Sequence, residues 1–348
     1  MSIRAVRIAS VLVAGLLALG VAAAPSSTAD PLPSWTLLDT GSTSHFRGLA
    51  AVSSKVAWLG GYNGTVLRTV DGGQTWRDAS PAGAQTLQFR DIAAFDARHA
   101  VAMAAGVGTD SRLYVTSNGG HRWRLAYQNT DPAAFFDCMS FSTPNNGLVL
   151  SDPVDGKFRI LSTKDGGASW RVLPNTGMPD ALDGEFGFAA SGECLTTAGH
   201  DAWFGSGGGA VSRIFHSTDR GRTWTVTDSP IVSTPSGGVF GLAFRGTSTG
   251  VAVGGDFADP SAATDVAAYA SAADGPWTTA ATQPGGYRSG VTFLPGTTAT
   301  AVAVGLTGSD VSYDAGRHWT GFDTGQFDTV SCAPDGACWA SGDLGRVA

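Results

Sequence analysis

The sequence predicts an all-β protein in which one unit of four short strands is repeated. Three observations carry this prediction. A turn such as "TVDGGQTW", ending at Trp76, recurs along the chain, and seven tryptophans from Trp35 to Trp319 lie 41 to 54 residues apart. Short apolar segments alternate with glycine-rich turns between them, and 48 of the 348 residues are Gly. A period near 45 residues with four strands per unit is typical of a β-propeller, and we count seven blades.

Each unit is expected to begin with an innermost strand that is opened by an aromatic residue. The seven openings are "FRGLAAV" at Phe46, "FRDIAAF" at Phe89, "FFDCMSF" at Phe135, "GEFGFAA" at Gly184, "VFGLAF" at Val239, "GYRSGVTF" at Gly286 and "QFDTVSC" at Gln326. A second strand rich in Val, Ala and Gly follows, and then a third strand, the turn and the tryptophan. The seventh unit stops before its turn. We therefore expect Ser34 to Asp39 to supply the outer strand of the last blade and to close the ring.

The recurring turn has a structural explanation. An Asp or Asn side chain can accept hydrogen bonds from N–H groups of its own turn, glycine permits the backbone angles, and the tryptophan ring packs between strands. We expect these residues to stabilise the fold and to lie away from the ligand face. The pairs are Asp71 with Trp76, Asn118 with Trp123, Asp165 with Trp170, Asp219 with Trp224, and Asp314 with Trp319.

The first 29 residues have the layout of a secretory signal peptide. Arg4 and Arg7 precede the apolar run from Ile8 to Ala24, and small residues follow. A membrane anchor is the alternative, since the run is near the short limit for a span. We predict a signal peptide over 1–29, a propeller over 30–348, export to the envelope or medium, and no transmembrane segment after cleavage.

Export would allow the four cysteines to form disulfides. Cys332 and Cys338 flank "APDGA", so a bridge there would join the strands of a hairpin, and Cys138 and Cys194 would form the other pair. Free buried thiols are the alternative for both pairs.

The charge balance and the remaining motifs exclude several function classes. The formal net charge of -7 argues against a general nucleic-acid binder. The six histidines are scattered and no Cys/His cluster has metal-ligand spacing, so no metal is expected. "GSGGGA" at Gly205 is followed by strand-like "VSRIFHS" rather than a helix, so no dinucleotide cofactor is expected either.

The innermost strands are expected to begin on the face that binds ligands. Arg47, Arg90 and Arg288 follow the opening aromatic in their units, and we predict that they form an arc suited to an anionic group. The alternative is that these arginines pair with aspartates to hold the blades together. The aspartates predicted to share this face are Asp91, Asp137, Asp152, Asp256 and Asp310, with Asp328 nearby.

The turn pattern S/T-x-D-x-G-x-x-W resembles the Asp-box, or BNR, repeat. Over residues 34–348 the chain resembles the photosystem II stability/assembly factor family, with wording such as "SDPVDGKF", "VSRIFHSTDRGRTW" and "GLTGSD" that is similar to a bacterial, non-photosynthetic branch. Some members of that branch carry an oxidoreductase label. The resemblance implies an exported seven-bladed propeller with structural Asp-boxes.

We therefore predict a monomeric, non-catalytic binding or assembly module whose partner is a protein or an anionic ligand. A sialidase-like glycoside hydrolase on the same propeller is the alternative. That enzyme class would need an Arg-Ile-Pro motif, but "FRIL" at Phe158 lacks the proline. It would also need a Tyr–Glu nucleophile pair, and the only glutamates are Glu185 and Glu193.

Overall fold

Six four-stranded antiparallel sheets and one two-stranded sheet form a closed ring in the computed structural model, which describes residues 32–348. The innermost strand of each sheet contacts that of the next, and the last sheet contacts the first. We call the four-stranded sheets blades one to six in chain order. The strands of each blade run in chain order from the innermost to the outermost.

The strands of the first three blades have the following bounds. Blade one contains β1 (Phe46–Ala51), β2 (Ala57–Gly61), β3 (Val66–Thr69) and β4 (Arg77–Asp78). Blade two contains β5 (Gln88–Ala94), β6 (Ala100–Ala105), β7 (Arg112–Thr116) and β8 (Arg124–Gln128), with a short 3-10 helix at Gly108–Asp110. Blade three contains β9 (Phe136–Thr143), β10 (Asn146–Val154), β11 (Lys157–Thr163) and β12 (Arg171–Val172).

The remaining sheets follow the same plan until the last one. Blade four contains β13 (Leu195–Ala198), β14 (Asp201–Gly205), β15 (Arg213–Ser217) and β16 (Thr225–Asp228). Blade five contains β17 (Gly237–Arg245), β18 (Thr249–Asp256), β19 (Ala267–Ala270) and β20 (Thr278–Thr279). Blade six contains β21 (Gly290–Phe293), β22 (Ala301–Gly305), β23 (Gly308–Ser312) and β24 (Thr320–Asp323). The two-stranded sheet contains β25 (Thr329–Cys332) and β26 (Cys338–Ser341).

The all-β propeller is confirmed, but the prediction of seven blades with the last closed by an N-terminal strand is wrong, because the structure has six. Ser34 to Asp39 forms no strand, and only Leu38 makes an isolated bridge, to Val347. Val347 makes a second isolated bridge, to Ser341. The chain after β26 turns through Leu344 and Gly345, both at positive φ. The described residues after β26 form no third strand in this sheet.

The predicted signal peptide at 1–29 lies outside the described residues. Within residues 32–348, no helix combines the length and apolar character that crossing a bilayer requires.

The recurring turn connects the third and fourth strands of a blade and has a closed hydrogen-bond pattern. In blade one the Asp71 carboxylate accepts the Thr75 N–H at 3.0 Å and the Thr69 hydroxyl at 2.8 Å. Gly73 has a φ of +80°, which strains a larger residue, and a Cβ there would lie 2.5 Å from Leu38 Cδ1, so the Leu38 side chain would have to shift. The side chains equivalent to Asp71 in the other turns also accept a backbone N–H from the residue four positions later. They are Asn118, Asp165, Asp219 and Asp314.

The tryptophans that end these turns pack between neighbouring sheets. Trp170, Trp224 and Trp319 are buried. The Trp76 ring lies edge-on to Trp339 with centroids 6.1 Å apart, and the Trp123 ring lies edge-on to Trp58 at 6.2 Å.

Both predicted disulfides are confirmed. Cys332–Cys338 joins the facing ends of β25 and β26. Cys138–Cys194 joins β9 of blade three to the residue that precedes β13 of blade four, and both sulfurs are buried. Closing a loop of 56 residues contributes about 4 kcal/mol by the loop-entropy estimate.

The predicted opening strand "GEFGFAA" is not a strand, because the innermost strand of blade four begins only at Leu195. Residues 186–193 instead reach across the centre of the ring, and we call them the channel segment. The Ser191 hydroxyl donates to the Ser289 carbonyl of blade six at 2.7 Å. The Phe188 ring stacks on Phe240 of blade five with centroids 3.8 Å apart. Gly184, Gly187 and Gly192 in and beside this segment are the sequence signal against a regular strand.

Candidate functional site

A cavity of about 380 Å³ lies on the face where the innermost strands begin. One part of its wall is charged and the rest is aromatic or apolar. The charged residues are Arg47, Arg90, Asp137, Asp152 and Asp328. The large aromatic and aliphatic residues are Phe135, Phe186, Phe188, Phe240, Phe257, Tyr287 and Leu306. The volume is in the range of small-ligand and side-chain pockets.

Two of the three predicted arginines meet at this cavity. The guanidinium carbons of Arg47 and Arg90 lie 5.7 and 5.6 Å from the centroid of the Tyr62 ring. Arg90 donates to Gln88 Oε1 at 2.6 and 3.0 Å and to the Ala189 carbonyl at 3.3 Å. Within residues 32–348, no carboxylate lies within ion-pair distance of it. Burial lowers the pKa of Arg90 somewhat, and its guanidinium remains charged at neutral pH.

Arg47 is more constrained than Arg90. Its Nε lies 3.5 Å from Asp328 Oδ1, and its side chain is 24% exposed. Asp328 also lies 2.8 Å from the Nε2 atom of His45. Arg47 is therefore partly neutralised, whereas Arg90 keeps a free charge at the cavity.

Arg288 does not join the predicted arc. It is 2% exposed and ion-paired with Asp310, which is also 2% exposed. The Arg288 Nε donates to Asp310 Oδ2 at 2.6 Å, and its Nη1 donates to the Tyr287 carbonyl and the Thr307 hydroxyl, each at 2.8 Å. For Arg288 the structure agrees with the alternative interpretation, in which an arginine–aspartate ion pair stabilises the blade.

Asp137 and Asp152 lie on the neighbouring strands β9 and β10 and both line the cavity. Asp152 Oδ1 accepts the Gly187 N–H of the channel segment at 2.9 Å. Asp137 is 1% exposed, and neither of its carboxyl oxygens has a hydrogen-bond partner. Burial, and next the charge of Asp152, raise the pKa of Asp137 well above its usual value, while Arg90 opposes the shift. Burial raises the pKa of Asp152 to about 6.

Asp91 and Asp256 lie elsewhere. Asp91 lines a separate cavity at the opposite end of the channel, where its carboxylate accepts the Met139 N–H at 2.6 Å and burial raises its pKa to about 8. Asp256 accepts the hydroxyls of Thr234 and Ser236 at 2.7 and 2.6 Å, and so it ties the turn before β17 to the end of β18. Neither carboxylate lines the cavity that contains Arg90.

Both glutamates have structural partners. Glu185 forms a buried ion pair with Arg213, whose Nε donates to its Oε1 at 2.8 Å. Glu193 accepts the N–H groups of Val291 and Val330, at 2.6 and 3.1 Å, and so ties blade six to the two-stranded sheet. Burial raises the pKa of Glu193 well above its usual value. Neither glutamate lines the cavity that contains Arg90.

The sequence reasoning missed most of the aromatic wall. Phe186 and Phe188 reach the cavity only because the channel segment leaves the sheet, and Phe257 does so from the loop after β18. Phe257 is 49% exposed and lines the cavity, so it lies at the rim. In the sequence, the turn "GGDF" at Gly254 to Phe257 is the feature that indicates an exposed aromatic residue on this face.

A smaller cavity of about 30 Å³ lies between blades three and four on the side of the aspartate turns. Its wall includes Arg171, His200, Arg220 and Arg222. The cavity that contains Asp91 is larger, at about 450 Å³. We take the cavity that contains Arg90 as the candidate site because it combines an arginine that, among the described residues, has no ion-pair partner with an aromatic wall. Within residues 32–348, no cluster of three or more His, Cys, Asp or Glu side chains is arranged to bind a metal.

No protein-family model matches the chain, and no curated protein matches it in sequence. Solved structures are nevertheless similar in fold. YCF48 from Cyanidioschyzon merolae has a TM-score of 0.62 and 14% identity, over 90% of this chain and 98% of that chain. YCF48 bound to D1 peptide has a TM-score of 0.61 and 15% identity, over 91% and 96%. The WD40 β-propeller domain of Doa1 has a TM-score of 0.60 and 12% identity, over 90% and 94%. At these identities the similarity shows the propeller fold alone.

Proposed function

We propose that the protein is an exported, non-catalytic binding module, of the assembly-factor kind, that receives a segment of a protein partner at the mouth of its central channel. The observation that carries this proposal is the unpaired Arg90, which lies with Arg47 beside an aromatic cavity wall. Resemblance to the photosystem II assembly factor family supports the assembly role. The fold similarity to YCF48, solved with a D1 peptide, supports a polypeptide as the ligand class. Residues 1–29 support export, and the module is expected to act as a monomer.

The cavity chemistry indicates what such a segment presents. Planar guanidinium groups bind carboxylates through paired hydrogen bonds, and desolvation at a half-buried site strengthens them. The aromatic residues provide apolar contact area with little loss of side-chain entropy on binding. The expected partner segment therefore presents a carboxylate next to an apolar side chain.

The experiment is quantitative capture from solubilised cell envelope on immobilised protein. We compare wild type with Arg90→Ala, and use Arg122→Ala as the matched control because Arg122 is exposed on the Asn118 turn of blade two. The proposal expects one or more proteins that are enriched by wild type and by Arg122→Ala, reduced about tenfold or more by Arg90→Ala, and released by added salt. Equal capture by all three proteins would reject the cavity as the binding site.

A glycoside hydrolase is a second candidate because two carboxyls with raised pKa values, Asp137 and Asp152, line one cavity. Paired carboxyls of this kind perform acid–base chemistry in glycosidases. The location of Glu185 and Glu193 outside the cavity disfavours the Tyr–Glu pair of a sialidase. Hydrolysis of a sialoside or xyloglucan that is lost in Asp152→Asn would establish this candidate instead. No turnover by wild type would exclude those substrates.

A further inference from the structure

Asp137 is a buried carboxyl that the fold leaves without a hydrogen-bond partner. Neither of its oxygens has a hydrogen-bond partner, although the residue is 1% exposed. Buried polar atoms in folded proteins are nearly always partnered, and an exception calls for a physical explanation. Asp137 lies in the wall of the cavity, so a bound group could supply the missing donor.

The nearest charges do not supply that donor. Arg90 lies on the same wall, but its hydrogen bonds go to Gln88 and the Ala189 carbonyl, and no ion pair joins it to Asp137. Asp152, on the adjacent strand, adds a second carboxylate with one oxygen free of protein donors. The acidic wall, defined as Asp137 and Asp152, therefore has acceptor oxygens that no protein donor uses.

The rest of the cavity suits an apolar stem. Phe135, Phe186 and Phe188 line it close to the acidic wall, and Phe257 stands at its rim. Aromatic faces attract cations as well as hydrocarbon chains. A flexible hydrocarbon stem that ends in an ammonium group fits both parts of this wall.

We infer that the acidic wall binds a primary ammonium group carried on an apolar stem, as in a lysine side chain of the partner segment. This inference rests on the proposed function, in which the cavity receives a polypeptide. The partner would then present a carboxylate to Arg90 and a lysine to Asp137 and Asp152. Such a pairing of opposite charges fixes the register of the bound segment.

Binding should be linked to proton release. The groups facing Asp137 are Asp152 and Arg90, and Arg47, Asp328 and Tyr287 lie on the other walls. Burial, with the charge of Asp152 next, raises the pKa of Asp137 well above its usual value, and burial raises the pKa of Asp152 to about 6. An ammonium group favours the ionised form, so affinity should rise with pH from 5 to 8.

The test compares two probes that differ only in the charged group. N-acetyl-lysine methylamide and N-acetyl-norleucine methylamide are titrated into the full chain and followed by NMR chemical shifts of the cavity residues. We expect the lysine probe to bind at least tenfold more tightly at pH 7.5 and its advantage to shrink at pH 5. Pentylamine tests the source of the ammonium, and weaker binding than the lysine probe supports a polypeptide side chain.

Substitutions in the acidic wall test which residues bind the lysine probe. Asp137→Asn should lower the affinity for the lysine probe about tenfold and remove most of its pH dependence. Asp152→Asn is the second variant if Asp137→Asn does not fold, since its amide oxygen still accepts the Gly187 N–H. Asp228→Asn, an exposed carboxylate on β16, should leave binding unchanged.

Two results would overturn the inference. Equal affinity for both probes would show that the cavity recognises apolar stems only. Tighter binding of the glutamate counterpart, with affinity rising at low pH, would show that protonated Asp137 donates to an anion. Arg90-dependent capture of a partner together with either result would leave the proposed function standing. Binding of the lysine probe without Arg90-dependent capture would support the acidic wall as an ammonium site and reject the proposed function.

Discussion

Arg90 and Arg288 occupy the same position in two blades and have opposite surroundings. Each follows the aromatic residue that opens its unit, Phe89 or Tyr287. Arg288 is buried against Asp310, whereas Arg90 lines the cavity and, within residues 32–348, has no ion-pair partner. Equivalent positions in a repeat can therefore serve stability in one blade and recognition in another.

The residues that follow the second strand of each blade explain the difference. In blade six, Asp310 on β23 points back to Arg288. In blade two, Asp110 in the 3-10 helix is instead 3.6 Å from Arg112 of the same blade. Asp110 therefore pairs with Arg112 and not with Arg90, and the charge of Arg90 stays available.

Replacing Arg288 gives the largest expected effect. Arg288→Ala leaves Asp310 as a buried, uncompensated carboxylate, which costs about 3 to 5 kcal/mol of unfolding free energy. Urea unfolding followed by tryptophan fluorescence measures this, and Arg122→Ala should change stability by less than about 0.5 kcal/mol. The double variant Arg288→Met with Asp310→Leu should recover most of the loss. A loss below about 1 kcal/mol in Arg288→Ala would show that the pair is not structural.

Asp91, the residue after Arg90, sharpens the comparison through pH. Its folded pKa of about 8 is raised above the unfolded value, so its protonated form adds stability that is fully present below about pH 4 and is lost as the pH rises to about 8. The slope is on the order of 1.4 kcal/mol per pH unit. Between pH 5 and 8 the melting temperature should fall less for Asp91→Asn than for wild type. The fall that remains in Asp91→Asn is expected from Glu193, because burial raises the pKa of that residue as well. Parallel declines would contradict the assignment to Asp91.

Arg90 and Arg47 should differ in binding. Arg90→Ala removes an unpaired guanidinium and is expected to weaken partner capture by about 1.5 to 3 kcal/mol, while stability falls by about 1 kcal/mol. Arg47→Ala should have a smaller effect on capture, because Asp328 already offsets its charge. Lysine at position 90 should restore only part of the binding, since it lacks the bidentate fork. A larger loss from Arg47→Ala than from Arg90→Ala would reverse this ranking.

The sequence predicts the parts of this molecule that depend on local patterns. The turn at Asp71 and the strand after Phe46 follow from hydrogen bonding and alternation within a few residues. The predicted number of blades was wrong because closing the ring depends on whether the residues after Ser341 and around Leu38 pair as strands. No local sequence pattern determines that pairing. The site was predicted in part for the same reason. Strand position located Arg90 and Asp137, but only the folded structure reveals that Asp310 on β23 neutralises Arg288.

The most direct test of the central claim is photocrosslinking from the rim of the cavity. A photoreactive phenylalanine derivative replaces Phe257 in one protein and Val172, exposed on the outermost strand of blade three, in another. Both are irradiated in intact cells, with and without Arg90→Ala. We expect a discrete protein adduct from position 257 that disappears with Arg90→Ala, and no such adduct from position 172. An adduct from position 257 that persists at full yield in Arg90→Ala, or the same adduct from position 172, would contradict it.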